Sequence, residues 1–192
     1  MGYREEFCEI WQREVTRPGA DKLLDWLATT DFFKAPASTR FHGACEEGLV
    51  MHSLNVYHAL MDRFFEEGDN PESMAVCGLL HDLCKANYYK TGTRNVKNEA
   101  TGQWEKVPVF MVEDQFPYGH GEKSVYLIER FIRLKPAEAV AIRWHMGGFD
   151  DAARGGCRAI SEAYDAYPLA VKLHLADLTA TYLMEKGTGA HR

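Results

Sequence analysis

The chain has 192 residues, 46% hydrophobic and 26% charged, with a formal net charge of -6. That length supports one domain with a sizeable core rather than two, and the composition is that of an ordinary soluble globular protein. The acidic balance gives no whole-molecule pull toward nucleic acid, no apolar run is long enough to cross a bilayer, and the opening "MGYREEFCEIWQREV" lacks the apolar stretch of a secretory signal.

In chain order, residues 3–15 place Phe7, Ile10, Trp11 and Val15 at helical spacing, and "RPG" at 17–19 stops them. A short second helix is expected over 21–28, carrying Leu23, Leu24, Trp26 and Leu27. Residues 29–44 read as irregular. From Glu46 to Glu67 apolar positions cover more than half the circumference, so a central helix is expected there, ended by Gly68. "DNPES" supplies the next start, with Pro71 in the first turn and the helix running to about Ala86. Residues 88–119 change period and read as a β-hairpin around a Gly-containing turn. Helices follow over about 122–134 and from Pro136 to the Gly147-Gly148 pair. A Gly-, Arg- and Asp-rich loop covers 148–160, Pro168 opens the last helix, and the tail "GTGAHR" reads as frayed.

The five cysteines, Cys8, Cys45, Cys77, Cys84 and Cys157, form no CxxC pair and read as single residues in a reducing, cytoplasmic setting. Cys77 and Cys84 look like small core residues. The eight histidines are more informative, because most lie in or beside apolar helical segments. His58 reads as structural and His191 as a tail residue. Asp82, in "CGLLHDLCKANYY", and Asp177, in "VKLHLADLTATY", would each be a carboxylate among Leu and Cys. An isolated buried carboxylate costs several kcal/mol or neutralises, so each predicts a partner. A divalent cation is the strongest partner available. Two such aspartates and several helical histidines therefore make a shared metal site the economical explanation, and a carboxylate with two oxygens can bridge two ions.

His52, the His81-Asp82 pair and Asp177, with "GLVMHSLNV" and "HDLCK" around them, resemble the signature of the HD-domain superfamily of metal-dependent phosphohydrolases. His120 in "YGHGEKS" and His145 in "RWHMGGFD" resemble the extra ligands of its two-metal branches. The resemblance spans about Phe41 to Met184. It implies a single mainly α domain over 1–192, a compact helical bundle of the HD type with the 88–119 hairpin as an insertion. It also implies one ion held by His52, His81, Asp82 and Asp177, and a second held by Asp82, His120 and His145. Such oxygen and imidazole ligands suit Mn, Fe, Co, Ni or Zn and disfavour thiolate-loving ions. The implied activity is hydrolysis of a phosphomonoester or phosphodiester of a nucleotide or similar small substrate through a metal-activated water, with Asp82 and Lys85 catalytic.

Lys85 would also hold a phosphate oxygen as a point charge. His42, Lys123, Arg154 and Arg158 are further candidates for the substrate, Arg143 a weaker one, and His174 is a candidate partner for Asp177. Tyr88, Tyr89, Trp104, Phe116 and Tyr118 could stack on a base. The expected partner is a small phosphorylated, nucleotide-like molecule, with no membrane and no strong nucleic-acid footprint. Two other readings fit the same ligand set: a di-iron oxygenase of the HD type, and a non-catalytic metal-containing sensing or scaffold domain.

Overall fold

The computed structural model describes residues 1–186; the expected frayed tail and His191 lie outside the described residues. The chain is mostly helical with one two-stranded antiparallel sheet. Helices α1 (Tyr3–Glu14) and α2 (Ala20–Thr29) lead to α3 (Gly48–Ala59), α4 (Pro71–Leu80) and the hairpin strands β1 (Tyr89–Lys97) and β2 (Trp104–Val112). Helices α5 (His120–Glu129), α6 (Pro136–Trp144), α7 (Asp151–Arg154), α8 (Ala159–Ala166) and α9 (Pro168–Thr179) follow. No helix of the described residues is long and apolar enough to cross a membrane.

The core forms where the apolar spacing places it. Phe7, Ile10 and Trp11 of α1 are buried, and the Trp11 indole donates to the Ala20 carbonyl at 3.1 Å, tying α1 to α2. Around them lie Leu23, Leu27, Phe32, Leu49, Leu60 and the whole of Ser73–Leu80. Helix starts follow local chemistry. Asn70 caps α4 by accepting from the Ser73 amide at 2.9 Å, and Pro71, Pro136 and Pro168 occupy first turns, where no amide donor is needed.

Two glycine contacts set the geometry that matters later. A Cβ on Gly78 would sit 2.7 Å from the Tyr57 Cα, so α3 and α4 cross with their backbones touching. A Cβ on Gly121 would sit 2.3 Å from the Arg143 carbonyl oxygen, so α5 and α6 do the same. Each close crossing brings one pair of histidine-bearing helices together.

Several boundaries differ from the expected ones. α4 does not run to Ala86. It ends at Leu80, and the chain passes through Asp82, at φ −99° and ψ 20°, into a tight turn at Leu83–Lys85. The Cys84 amide is taken by the Ser124 hydroxyl of α5 at 3.0 Å, which diverts it from the carbonyl one helical turn back. The central helix starts at Gly48 rather than Glu46. Glu47 has φ 61°, and its amide and that of Leu49 bond to the carbonyls of Lys34 and Ala35. That helix widens into a π-helical turn over Leu60–Phe64 and leaves helical geometry at Phe65, short of Glu67. α5 opens at His120 and closes at Glu129. The expected 148–160 loop contains α7, whose cap is the Asp150 carboxylate bonded to the amides of Ala152 and Ala153, and α8 begins at its end.

The hairpin is as expected, with Tyr89 opposite Val112 and Lys97 opposite Trp104. Its residues are exposed or half-buried on both faces, so it projects from the helices rather than covering them.

Candidate metal centre

Six predicted side chains meet in one buried place. His52 of α3, His81 at the end of α4, Asp82 after it and His145 at the end of α6 are almost wholly buried; His120 and Asp177 are partly so. His52 Nε2 lies 3.3 Å from His81 Nε2 and 3.3 Å from Asp177 Oδ1. Asp82 stands at the centre. Its Oδ2 lies 3.7 Å from His52 Nε2 and 3.6 Å from His81 Nε2. Its Oδ1 lies 2.8 Å from His120 Nε2 and 3.5 Å from His145 Nε2. The break after Leu80 makes this possible, since Asp82 is free of the helical direction that would turn it about 100° away from His81.

The far side of each imidazole is anchored. His81 Nδ1 donates to the Gly78 carbonyl at 3.0 Å, and His145 Nδ1 donates to the Ile142 carbonyl at 2.6 Å. His52 Nδ1 meets the Glu185 carboxylate at 3.0 Å, and that carboxylate also accepts from Asn55 Nδ2 at 2.9 Å. His120 Nδ1 faces Cys84 Sγ at 3.3 Å. A donor anchored at Nδ1 leaves Nε2 with its lone pair aimed inward, which is how metal-ligating histidines are oriented.

Burial opposes ionisation of Asp82 and Asp177, yet Lys85 beside the first and His52 beside the second hold both carboxyls below their ordinary range. Burial also opposes protonation of His52, but Asp177 and Glu185 outweigh it and hold its pKa up at about 10. His120 is likewise pushed up to about 10, against burial, by Cys84 and Asp82. Burial with too little nearby negative charge pulls His81 down to about 3 and His42 to about 4. The carboxylates of Asp82, Asp177 and Glu185 all lie against these imidazoles, and Lys85 adds positive charge beside Asp82. His145 Nε2 is buried with no hydrogen-bond partner among the described residues. A buried polar atom left in that state costs roughly 1–3 kcal/mol, which a cation removes. Among the described residues, four overlapping groups of ligand atoms lie close enough together to hold ions: His52–His81–Asp177, His81–Asp82–His145, Asp82–Cys84–His120 and His42–His52–Glu185. These residues fit divalent metal.

The remaining candidates separate. Lys85 closes the tight turn rather than a helix, and its Nζ lies 2.6 Å from Asp82 Oδ2. His42 lies beside His52 with ring centroids 4.8 Å apart and the rings tilted by 41°, placing it against the cluster. Lys123 is buried and paired with Asp114 at 2.6 Å, its ammonium 5.1 Å from the Tyr88 ring centre, so it fastens the chain after β2 to α5. Arg154 and Arg158 are exposed, and among the described residues no hydrogen bond or ion pair joins either to the cluster; Arg154 lies over the Phe149 ring. Arg143 is held by Glu122 and Asp150 at 2.5 and 2.8 Å. His174 donates not to Asp177 but to the His145 carbonyl at 2.7 Å, bracing the turn that carries that ligand.

Two contributors escape the sequence reading. Cys84 looked like core packing, and Glu185 stands in "YLMEK" at the end of the last expected helix, where no motif marks it. A π-helical turn over Ala180–Met184 brings it inward to His52. An open hollow of about 530 Å³ along α5 and α6 is lined by Tyr118, Val125, Tyr126, Val140 and Trp144 among others, and by none of the six ligands. The donor set, rather than this hollow, marks the site.

In comparisons with protein-family models, with curated proteins and with solved structures, nothing matches this chain.

Proposed function

We propose that the chain is a metal-dependent phosphohydrolase of the HD type, cleaving a phosphomonoester or phosphodiester of a nucleotide or similar small substrate. The observation that carries this reading is the division of Asp82. One oxygen faces His52 and His81 and the other faces His120 and His145. A carboxylate shared in that way suits two neighbouring ions, one held by His52, His81, Asp82 and Asp177, the other by Asp82, His120 and His145. Bound divalent metals would lower the pKa of water and neutralise charge growing on phosphoryl oxygens.

The chain's own groups supply the rest. The Gly78 and Ile142 carbonyls and Glu185 fix the imidazoles before substrate arrives, so little reorganisation remains for the reacting state. Lys85 carries a positive charge against Asp82 Oδ2, and its three donors let it hold Asp82 and a phosphate oxygen together. His42, beside His52, is placed to meet substrate at the edge of the cluster.

The test is metal analysis of the purified protein joined to a nucleotide and phosphoester screen with Mn, Fe, Co, Ni and Zn in parallel. About two ions per chain and released phosphate or nucleoside product are expected. Consumption of dioxygen by the iron form, without hydrolysis, would replace this reading with the oxygenase one. Failure to bind any metal after reconstitution would overturn both.

A further inference from the structure

The hairpin runs against the charge of the chain that carries it. Between Tyr89 and Val112 stand four cationic side chains, Lys90, Arg94, Lys97 and Lys106, and two carboxylates, Glu99 and Glu105, in a protein whose formal net charge is -6. Lys90 is paired with Glu113, and Glu105 accepts from the Asn98 side chain at 2.7 Å. Arg94, Lys97 and Lys106 are exposed, and among the described residues no side-chain hydrogen bond or ion pair engages them. Directly opposite Lys97 stands Trp104, 70% exposed. A ring of that size left in water covers no core, so its apolar face is free for a partner.

The register sorts these residues onto faces. Opposed residues of an antiparallel pair point to the same side, and alternate positions along a strand share a face. Tyr89, Phe110, Lys106, Lys97 and Trp104 therefore share one face. It begins at Tyr89, just past the turn that carries Lys85, where the phenol donates to the Ala37 carbonyl at 3.2 Å and fixes the ring. At about 3.3 Å per residue it runs roughly 26 Å to Trp104. Aromatic rings alternating with unpaired cations match a single-stranded nucleic acid, which offers flat bases to stack and phosphates to neutralise. A further protein strand fits poorly. β2 carries Pro108, which has no amide to donate, and β1 carries Lys90, Arg94 and Lys97; both features oppose strand addition.

We infer that this face of the hairpin is a docking surface for a single-stranded polynucleotide, with a base stacked on Trp104 and phosphates held by Lys97 and Lys106. Arg94, on the reverse of the same ribbon, adds to the local positive field. The binding is independent of sequence, because every base has a face to stack and the cations read only the backbone. This goes beyond the proposed hydrolysis, which needs only a small phosphoester at the cluster, and it stands without any bound metal.

Fluorescence anisotropy of the full chain with labelled oligothymidylate or oligouridylate of about 15 nucleotides tests it, once as purified and once in chelator. Both preparations are expected to bind equally, with log affinity falling against log salt at a slope of about -2, from three cations at about 0.7 each. Trp104→Ala should weaken binding about five- to a hundredfold. Lys97→Gln combined with Lys106→Gln should flatten the slope by roughly 1.4. These changes fall on exposed side chains, so the circular dichroism should match wild type. Binding that needs the metal would put the strand on the cluster, overturning the hairpin assignment while leaving the hydrolase reading intact. Equal affinity of Trp104→Ala and wild type, or no binding by wild type at about 50 mM salt, would also overturn it. Sedimentation as a dimer that Trp104→Ala dissociates would give the face to a second copy and overturn it too.

Discussion

Two buried clusters of charge in this protein are built on opposite plans. Arg17, Glu72, Ser73 and Glu138 form one, where the turn between α1 and α2 meets the starts of α4 and α6. Glu138 is fully buried, and each of its oxygens is used twice: Oε1 accepts from Arg17 at 2.8 Å and Ser73 at 2.7 Å, and Oε2 accepts from Arg17 at 2.7 Å and the Lys135 amide at 2.8 Å. Glu72 takes the third side of the same guanidinium at 3.0 Å. The network closes on itself. The His–Asp cluster does not. His145 Nε2 has no hydrogen-bond partner there among the described residues, and His52 and His81 point Nε2 atoms at each other from 3.3 Å, where at most one can donate. In a low-dielectric interior a closed network is a structural device, and an open one of the same chemistry has room for a cation.

The sharpest way to break that contrast is to remove the centre of each cluster. Asp82→Ala should reduce phosphohydrolase activity to background and lower metal content in both halves, because both share that carboxylate. Full turnover by Asp82→Ala on the same substrate panel would refute the bridging role. Arg17→Met should do the reverse. It strands a buried Glu138 charge, at a cost of about 3–5 kcal/mol, so the denaturant midpoint should fall sharply. Metal bound per folded chain should hold at the wild-type level. A loss of metal matching the loss of stability would mean the two clusters are coupled rather than separate.

The sequence was readable to different depths in the two regions, and the reason is range. The apolar spacing of α1 and α3, the Asn70-Pro71 start and the period change at the hairpin are local, and the structure has them. The buried-carboxylate argument and the family resemblance together named six residues that the fold does gather. What sequence could not show is set from far away. α4 breaks after Leu80 because a hydroxyl forty residues on takes the Cys84 amide. Glu185 turns inward only because the end of α9 widens by a π-helical turn, and Cys84, beside Leu83, is spelled like packing. Lys123, expected near phosphate, is committed to Asp114 by a loop whose course no periodicity encodes.

A gentler probe acts on the crossings instead of the charges. Gly121→Ala forces α5 from α6, since the new methyl would meet the Arg143 carbonyl at 2.3 Å. Overpacking of this kind costs about 1–3 kcal/mol. It should also part His120 from His145 and weaken metal binding in that half, while the Arg17 network keeps its geometry. Gly148→Ala meets nothing within 4 Å and serves as the neutral control. Isothermal titration of both variants with Zn²⁺ reads the difference. Equal affinities would show that the α5–α6 crossing does not set the ligand positions.

The smallest expected effect is in the pH dependence of the closed network. Burial acts to raise the Glu138 pKa, but the Arg17 guanidinium and the Ser73 and Lys135 donors outweigh it and hold the carboxyl below its ordinary value. A folded-state pKa below the unfolded one, about 4.3, gives stability that is present above the unfolded value and fades as pH falls through the folded one. The stability gap between wild type and Glu138→Gln, from urea midpoints taken stepwise from pH 7 to about 3, should therefore hold steady near neutrality and narrow on the acid side. The comparison cancels the carboxylates outside this network, Asp82 and Asp177 included, because both chains carry them; Glu72, which shares Arg17, moves with Glu138. A gap that stayed constant down to the lowest pH would mean that Glu138 acts through shape and hydrogen bonding alone, and the closed cluster would then owe nothing to its charge.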